Sequence, residues 1–91
     1  MWYRNRTEII AQIPEAVNDG SSYGSGGLTK TSIMYKAYLS YAQLKEYLKI
    51  LTDRGLLSYD LGTQRFTTTE KGLRFLKAYS HLDELMNEPQ F

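Results

Sequence analysis

The side chains best suited to chemistry lie in the middle of the sequence, between Ser40 and Gly55. One helical face of this stretch is small, polar and positively biased, and it carries Ala42, Gln43, Lys45, Glu46 and Lys49. A helix that lies in the major groove of DNA is expected to have such a face. From these residues alone an alternative stays open, in which the face is the solvated side of an ordinary amphipathic helix.

The same stretch holds the signals that make it a helix, predicted over residues 40–53. Ser40 is a suitable N-cap, because its hydroxyl can accept from an unpaired amide of the first turn. Leu44, Leu48 and Leu51 recur at i, i+4 and i+7 and so share the opposite, core-facing side. Gly55 follows as a residue that can take the left-handed conformation ending a helix.

Catalytic and metal-binding constellations are absent from the sequence. There is no cysteine, and the single histidine, His81, has neither a metal-ligand cluster nor a serine arranged with it by any motif. No Lys-Ser/Thr follows the Gly/Ser-rich stretch 18–27 at the spacing of a phosphate-binding loop, so the stretch is predicted to be a flexible connection. We therefore expect no enzyme, no cofactor, no metal and no small-molecule ligand.

Length and charge favour one small domain with a modest basic centre. The chain has 91 residues and a net charge of +1. Residues 20–69 carry six basic and three acidic side chains, whereas residues 1–19 and 70–91 each carry a net charge of −1. The positive charge thus gathers around the central helix. No apolar run reaches the roughly 20 residues of a membrane span, and no signal peptide opens the chain, so we expect a cytoplasmic protein without membrane contact.

The flanking segments predict a helix-turn-helix. A first helix is expected from about residue 5 to 17, with a kink or a restart at Pro14, whose ring crowds the preceding turn. Leu28 predicts a very short strand, and Thr29 caps a second helix over residues 30–37. Tyr38 and Leu39 then make a short turn into Ser40, and Leu39 is placed to lock that turn into the core.

After Gly55 the apolar spacing changes from helical to alternating, which predicts a β-hairpin over residues 57–68 with its turn at 62–64. Thr69 then caps a last helix that ends near Met86. The tyrosines are expected to fill the edge of the core with their hydroxyls at solvent: Tyr35, Tyr38, Tyr47, Tyr59 and Tyr79.

This order of elements resembles a winged helix-turn-helix domain, an α+β fold in which a three-helix core carries a β-hairpin wing. The Gly-Leu-Leu that opens the hairpin and the Thr-Glu-Lys-Gly at 69–72 resemble many prokaryotic winged-helix regulators. Residues 30–51 are most similar to small archaeal winged-helix DNA-binding proteins, among them chromosomal proteins that dimerise through a long C-terminal helix. The resemblance covers about residues 6–88. It departs from the family at Pro14 and in the length of the Gly/Ser loop.

The resemblance implies that the helix at 40–53 enters the major groove of double-stranded DNA and that the wing contacts the backbone or the minor groove. Gln43 would then pair with adenine, and Lys45 would donate to guanine or to a phosphate. The implied contacts on the central helix are Tyr41, Ala42, Gln43, Lys45, Glu46 and Lys49. Those on the preceding helix are Lys30, Thr31 and Lys36, and those at the wing tip are Thr63, Gln64 and Arg65. Each residue has a solvated surface position as its alternative.

The last helix carries an apolar seam that predicts a homodimer. Phe75, Tyr79, Leu82 and Met86 recur at i, i+4, i+7 and i+11. Leu85 widens the seam, and Trp2 and Tyr3 are expected to complete it. We accordingly divide the chain into a winged-helix DNA-binding domain, 1–69, and a C-terminal helix, 70–91, for core packing and dimerisation.

The function expected is transcriptional regulation through DNA binding by a homodimer. Two alternatives remain open at this point. One is a winged helix that binds proteins and not DNA, and the other is a protein that packages chromosomal DNA without regard to sequence.

Overall fold

The computed structural model describes residues 5–20 and 26–87, and it confirms the predicted α+β fold. The elements follow one another as α1 (Arg6–Gly20), α2 (Lys30–Ala37), α3 (Tyr41–Asp53), β1 (Leu57–Asp60), β2 (Arg65–Thr68) and α4 (Glu70–Met86). No helix in the described ranges has the length and apolar character needed to cross a membrane.

A kink or a restart is predicted at Pro14, and the restart is wrong, because helix α1 runs without interruption through this residue. Pro14 is fully buried, and its carbonyl accepts a hydrogen bond of 2.8 Å from the Thr68 hydroxyl. Packing of α1 against α2, β2 and α4 offsets the cost of about 3 kcal/mol that proline carries inside a helix. The helix also extends to Gly20, three residues past its predicted end.

The helix-turn-helix is built from the caps that the sequence predicts. The Thr29 hydroxyl accepts from the Ser32 amide at 3.3 Å and starts α2. Tyr38 adopts the left-handed conformation with φ 55°, which ends α2. The buried Leu39 then donates its amide to the Met34 carbonyl at 3.1 Å, which fixes the turn against the core as predicted.

One apolar core lies beneath the helices and the hairpin. Its members that are less than 2 % exposed include Ile13, Val17, Ile33, Leu44 and Leu51. The predicted inward residues of α3 are all buried, and Phe66 contributes from the wing. Because these residues anchor one side of α3 in the core, the opposite side of the helix faces outward.

The hairpin pairs β1 and β2 in antiparallel register, with Tyr59 opposite Phe66. Leu28 adds a single bridge at the outer side of β2, where it exchanges two backbone hydrogen bonds of 2.9 and 2.7 Å with Phe66. Gly27 must be glycine here, because its φ is +119° and a Cβ would lie within 3.0 Å of the Phe66 carbonyl. The end of the predicted loop is therefore held in place, and residues 21–25 lie outside the described ranges.

Helix α4 begins inside the fold and ends outside it. Thr69 caps the helix, and Gly72 packs so closely on the Leu56 carbonyl that a side chain would collide with it. Phe75 packs against the core. Every residue from 80 to 87 is exposed, so the last two turns of α4 project from the body.

The prediction that tyrosines line the edge of the core is wrong for two of them. Tyr35 is 71 % exposed and Tyr38 is 85 % exposed. Helix α2 buries Ile33 and Ala37, and Tyr35 lies on the opposite side because it is two residues from each. Tyr47 and Tyr79 are half-buried, as predicted.

Candidate nucleic-acid interface

The exposed face of α3 forms the centre of the candidate interface. Leu44, Leu48 and Leu51 are buried on the other side of the helix. Ala42, Lys45 and Lys49 are exposed, as is Tyr41, which is the first residue of the helix. The two lysines lie one turn apart in the middle of α3, and their side chains make no ion pair or hydrogen bond with the described part of the chain. Their ammonium groups are available to an external anion.

A groove of about 270 Å³ separates α3 from the wing, and it brings three predicted contacts together. Lys45 and Lys49 line it from α3, and Lys30 lines it from the start of α2. The remaining lining residues are Leu48, Thr52, Tyr59 and Phe66. Three cationic side chains from two helices thus face one concave surface, which sequence spacing alone does not reveal.

A second groove, of about 290 Å³, continues this surface toward the tip of the wing. Lys30 and Tyr59 line both grooves. The second groove is completed by Thr29, Thr31, Thr63 and Gln64. The structure therefore places the N-terminus of α2, the wing tip and the flank of α3 side by side.

Gln43 is occupied by the cap of its own helix. Its side-chain Oε1 accepts from the Ser40 backbone amide at 3.1 Å. The Gln43 backbone amide in turn donates to the Ser40 hydroxyl at 3.2 Å. This is a capping box, which satisfies two backbone donors at the helix start. Bidentate pairing with adenine needs the same oxygen. The predicted adenine contact therefore requires the cap to open.

Glu46 faces the start of α1. Its carboxylate lies 4.0 Å from the guanidinium of Arg6, and both side chains are exposed. The same guanidinium lies 5.9 Å from the centre of the Tyr47 ring. Arg6 thus flanks α3 on a side that the sequence did not indicate, because nothing in the spacing of the first helix relates it to the central one.

Arg65 lies opposite Asp60 in the strand pair next to the wing turn, and its side chain is engaged within the protein. It opens β2 and is half-buried, and its guanidinium donates a 3.0 Å hydrogen bond to the Gly27 carbonyl. Arg65 thus borders the wing tip, and a contact from it to DNA would compete with this hydrogen bond. The tip is formed by residues 61–64, and the Arg65 side chain crosses toward the Leu28 bridge.

The turn of the wing is held by Asp60. Its carboxylate accepts from the Thr63 hydroxyl at 2.7 Å and from the Thr63 amide at 3.1 Å. These hydrogen bonds hold the pKa of the Asp60 carboxyl below its ordinary value. Gln64 completes the turn in the left-handed conformation, with φ 57°. The Thr63 hydroxyl hydrogen is thus engaged inside the wing.

Lys36 lies apart from the other predicted contacts. It lines a groove of about 430 Å³ between α1 and α2, together with Glu15 and Asp19. The structure thus separates Lys36 from the groove between α3 and the wing. Helix α2 presents Lys30 and Lys36 on different sides, because they lie six residues apart.

The predicted seam of α4 divides into two parts. Phe75 and Tyr79 are half-buried, with ring centres 6.3 Å apart, and Phe75 belongs to the edge of the protein's own core. Leu82, Leu85 and Met86 are 59 %, 49 % and 85 % exposed. Trp2 and Tyr3 lie outside the described residues.

These features define a helix-turn-helix domain with a β-hairpin wing and a cationic surface between the two. The family model for winged helix-turn-helix domains matches residues 3–87, and the chain belongs to this family. The fold is typically one that binds DNA and is not enzymatic. No curated protein is significantly similar to the chain. The residues that the structure describes contain no group of three side chains able to hold a metal ion.

Proposed function

We propose that this protein is a transcriptional regulator that binds double-stranded DNA as a homodimer. Helix α3 lies in the major groove, and the wing lies on the adjacent backbone or minor groove. The observation that carries the proposal is the exposed face of α3, where Lys45 and Lys49 stand beside Lys30 in a groove that the wing completes. Phosphate contacts by such side chains supply most of the affinity for DNA.

The test removes the two lysines of α3. The Lys45→Ala/Lys49→Ala variant should fold normally and bind DNA much more weakly. The slope of log affinity against log salt concentration should fall by about 0.9 for each phosphate that the variant no longer neutralises. Affinity is measured by fluorescence anisotropy on duplex DNA at several salt concentrations.

A matched control removes two cations from another helix. Arg74→Ala/Lys77→Ala makes the same change in net charge on α4, where both side chains are exposed. This variant should retain the salt slope of the wild type. Equal reductions of affinity in the two variants would show that net charge alone governs binding, and an unchanged affinity in the α3 variant would refute the placement of α3 in the groove.

Sequence-specific regulation is favoured over packaging by the low net charge. Non-specific binding depends almost wholly on neutralised phosphates. A net charge of +1 leaves little for that purpose outside the grooves described above. Competition with random duplex should therefore weaken binding to a selected site only at a large excess. The same titration tests the alternative that the domain binds proteins and not DNA, because such a domain would bind neither the selected site nor random duplex.

The homodimer is proposed from the projecting end of α4. Leu82, Leu85 and Met86 are exposed close together on the last two turns, and exposed apolar clusters of this kind mark interfaces. A two-fold pairing would present two copies of α3. Half-sites in the DNA would then be about 34 Å apart, or a multiple of that distance.

Analytical ultracentrifugation tests the dimer. Wild type should sediment as a dimer at micromolar concentration, and Leu82→Glu/Met86→Glu should sediment as a folded monomer. Leu73→Glu places a single glutamate on another side of α4 and should leave the dimer intact. A monomeric wild type would refute the pairing.

The archaeal type of regulator and a cytoplasmic location remain parts of this proposal. They rest on the resemblance of residues 30–51 and of the hairpin to prokaryotic regulators. A prokaryotic regulator reaches its DNA in the cytoplasm.

A further inference from the structure

We propose that the groove between α3 and the wing holds a single backbone phosphodiester of the DNA, which Lys30, Lys45 and Lys49 bind together. The inference rests on the proposed function and deepens it. It assigns the three lysines to one shared phosphate and not to separate contacts along the duplex.

The charge around the groove is the first support. Among the described residues that line the two adjoining grooves at the wing, three are lysines and none is acidic. The other grooves differ. Lys36 shares its groove with Glu15 and Asp19, and Lys77 shares its groove with Glu15 and Asp83.

No carboxylate lines the two wing grooves beside these three lysines, whereas carboxylates line the grooves of Lys36 and Lys77. A bound anion would offset the repulsion among the three ammonium groups. Lys30 strengthens this preference, because it is the first residue of α2 and the N-terminal end of a helix favours negative charge. A phosphodiester supplies a negative charge and oxygen acceptors for the three ammonium donors.

The shape of the groove is the second support. Its floor is apolar and firm, since Leu48 and Phe66 are buried and belong to the core. The Tyr59 ring lies 4.6 Å from the Phe66 ring and adds a phenolic hydroxyl to the lining. The volume of about 270 Å³ equals that of roughly nine water molecules, which is room for a phosphate group and part of its hydration.

The Thr52 hydroxyl, which lines the groove, is not available to donate to a phosphate. Its Oγ1 donates to the carbonyls of Leu48 and Lys49, at 2.8 and 3.1 Å, within α3. Its hydrogen is therefore engaged, and Tyr59 is the hydroxyl of the lining left as a donor. Because phosphate contacts fix the position of a protein on DNA without reading bases, the groove sets the register of α3.

A double-mutant cycle between α2 and α3 tests whether their lysines share one phosphate. Lys30→Gln and Lys49→Gln remove one charge each and keep much of the side-chain length. If both lysines bind one phosphate, the double variant should lower the salt slope by no more than about 0.9. Two separate phosphates would lower it by about 1.8 and would overturn the proposal. Lys77→Gln is the control and should leave the slope unchanged.

A phosphate titration gives an independent readout on the free protein. In amide NMR spectra, inorganic phosphate should produce saturable shifts at Lys30, Lys49 and Tyr59, and Lys30→Gln should weaken them. Saturating DNA should abolish the effect of added phosphate. Equal shifts at Lys36 and Lys77, or phosphate shifts that persist in the DNA complex, would overturn the assignment.

The two levels of the hypothesis fail differently. A wild-type protein that binds no DNA at any salt concentration would refute the proposed function and, with it, this inference. DNA binding with slopes that add across the cycle would refute only the shared phosphate and would leave the proposed function standing.

Discussion

Replacing Arg65 by alanine should destabilise the protein and leave the salt dependence of DNA binding nearly unchanged. The half-buried guanidinium donates a 3.0 Å hydrogen bond to the Gly27 carbonyl, 38 residues away in sequence. Hydrogen bonds from charged donors contribute roughly 1.5–3 kcal/mol. Partial exposure reduces this, so we expect a decrease of about 1–2 kcal/mol in the free energy of unfolding. For a chain of this size that corresponds to roughly 4–16 °C in Tm.

Urea unfolding followed by circular dichroism measures the effect, and Arg74 supplies the matched control. Arg74→Ala also removes one guanidinium, but Arg74 makes only an exposed i,i+4 pair with Glu70 at 3.7 Å. Such pairs contribute roughly 0.3–0.5 kcal/mol. The structural role of Arg65 would be refuted if the two variants unfolded alike while Arg65→Ala alone lowered the salt slope by about 0.9.

Three further substitutions probe the local geometry. Gly72→Ala should cost about 1–3 kcal/mol, because its Cβ would overlap the Leu56 carbonyl. Gly62→Ala should be nearly neutral in the same urea assay, because its Cβ would make only an ordinary van der Waals contact of 3.7 Å with the Asp60 carboxylate. Ser40→Ala should destabilise α3 by roughly 1 kcal/mol through removal of the N-cap, measured by thermal unfolding; an unchanged Tm would contradict the capping box. The lowered pKa of Asp60 means that its contribution to the wing turn is present above its ordinary pKa and is lost as the pH falls through the lowered value. Asp60→Asn should remove this pH dependence from the Thr63 amide signal in NMR, and its persistence would contradict the assignment.

The sequence predicts the elements well because their signals are local. Ser40, Thr29 and Thr69 each cap a helix as expected, since a cap depends on residues within one turn. The seven-residue recurrence of Leu44 and Leu51 correctly gives the buried side of α3. The restart predicted at Pro14 is wrong for the complementary reason. The cost of the proline is local, but much of the packing that offsets it comes from β2 and α4, which are more than 50 residues further along the chain.

The candidate site is less predictable, because the partner of a polar side chain can be distant in sequence. No spacing rule relates Arg65 to Gly27 or Arg6 to Glu46. The groove at the wing likewise depends on three elements meeting. The residue types predicted for DNA contact are present, but only the structure shows which of them share a surface.

Which polar side chains stay available to DNA follows from where the backbone is already paired. Gln43 lies at a helix start with unpaired amides, and its side-chain oxygen binds one of them. Lys71 lies near the end of α3, and its amine donates to the Arg54 carbonyl at 2.8 Å. Lys45 and Lys49 lie in the middle of a helix, where the carbonyls are paired. Lys30 lies at a helix start, where the unpaired backbone groups are amides. Amides are donors and cannot accept a hydrogen bond from the lysine side chain. The side chains of the three lysines of the wing groove thus have no partner in the described part of the chain, which supports the proposal that an external anion binds them.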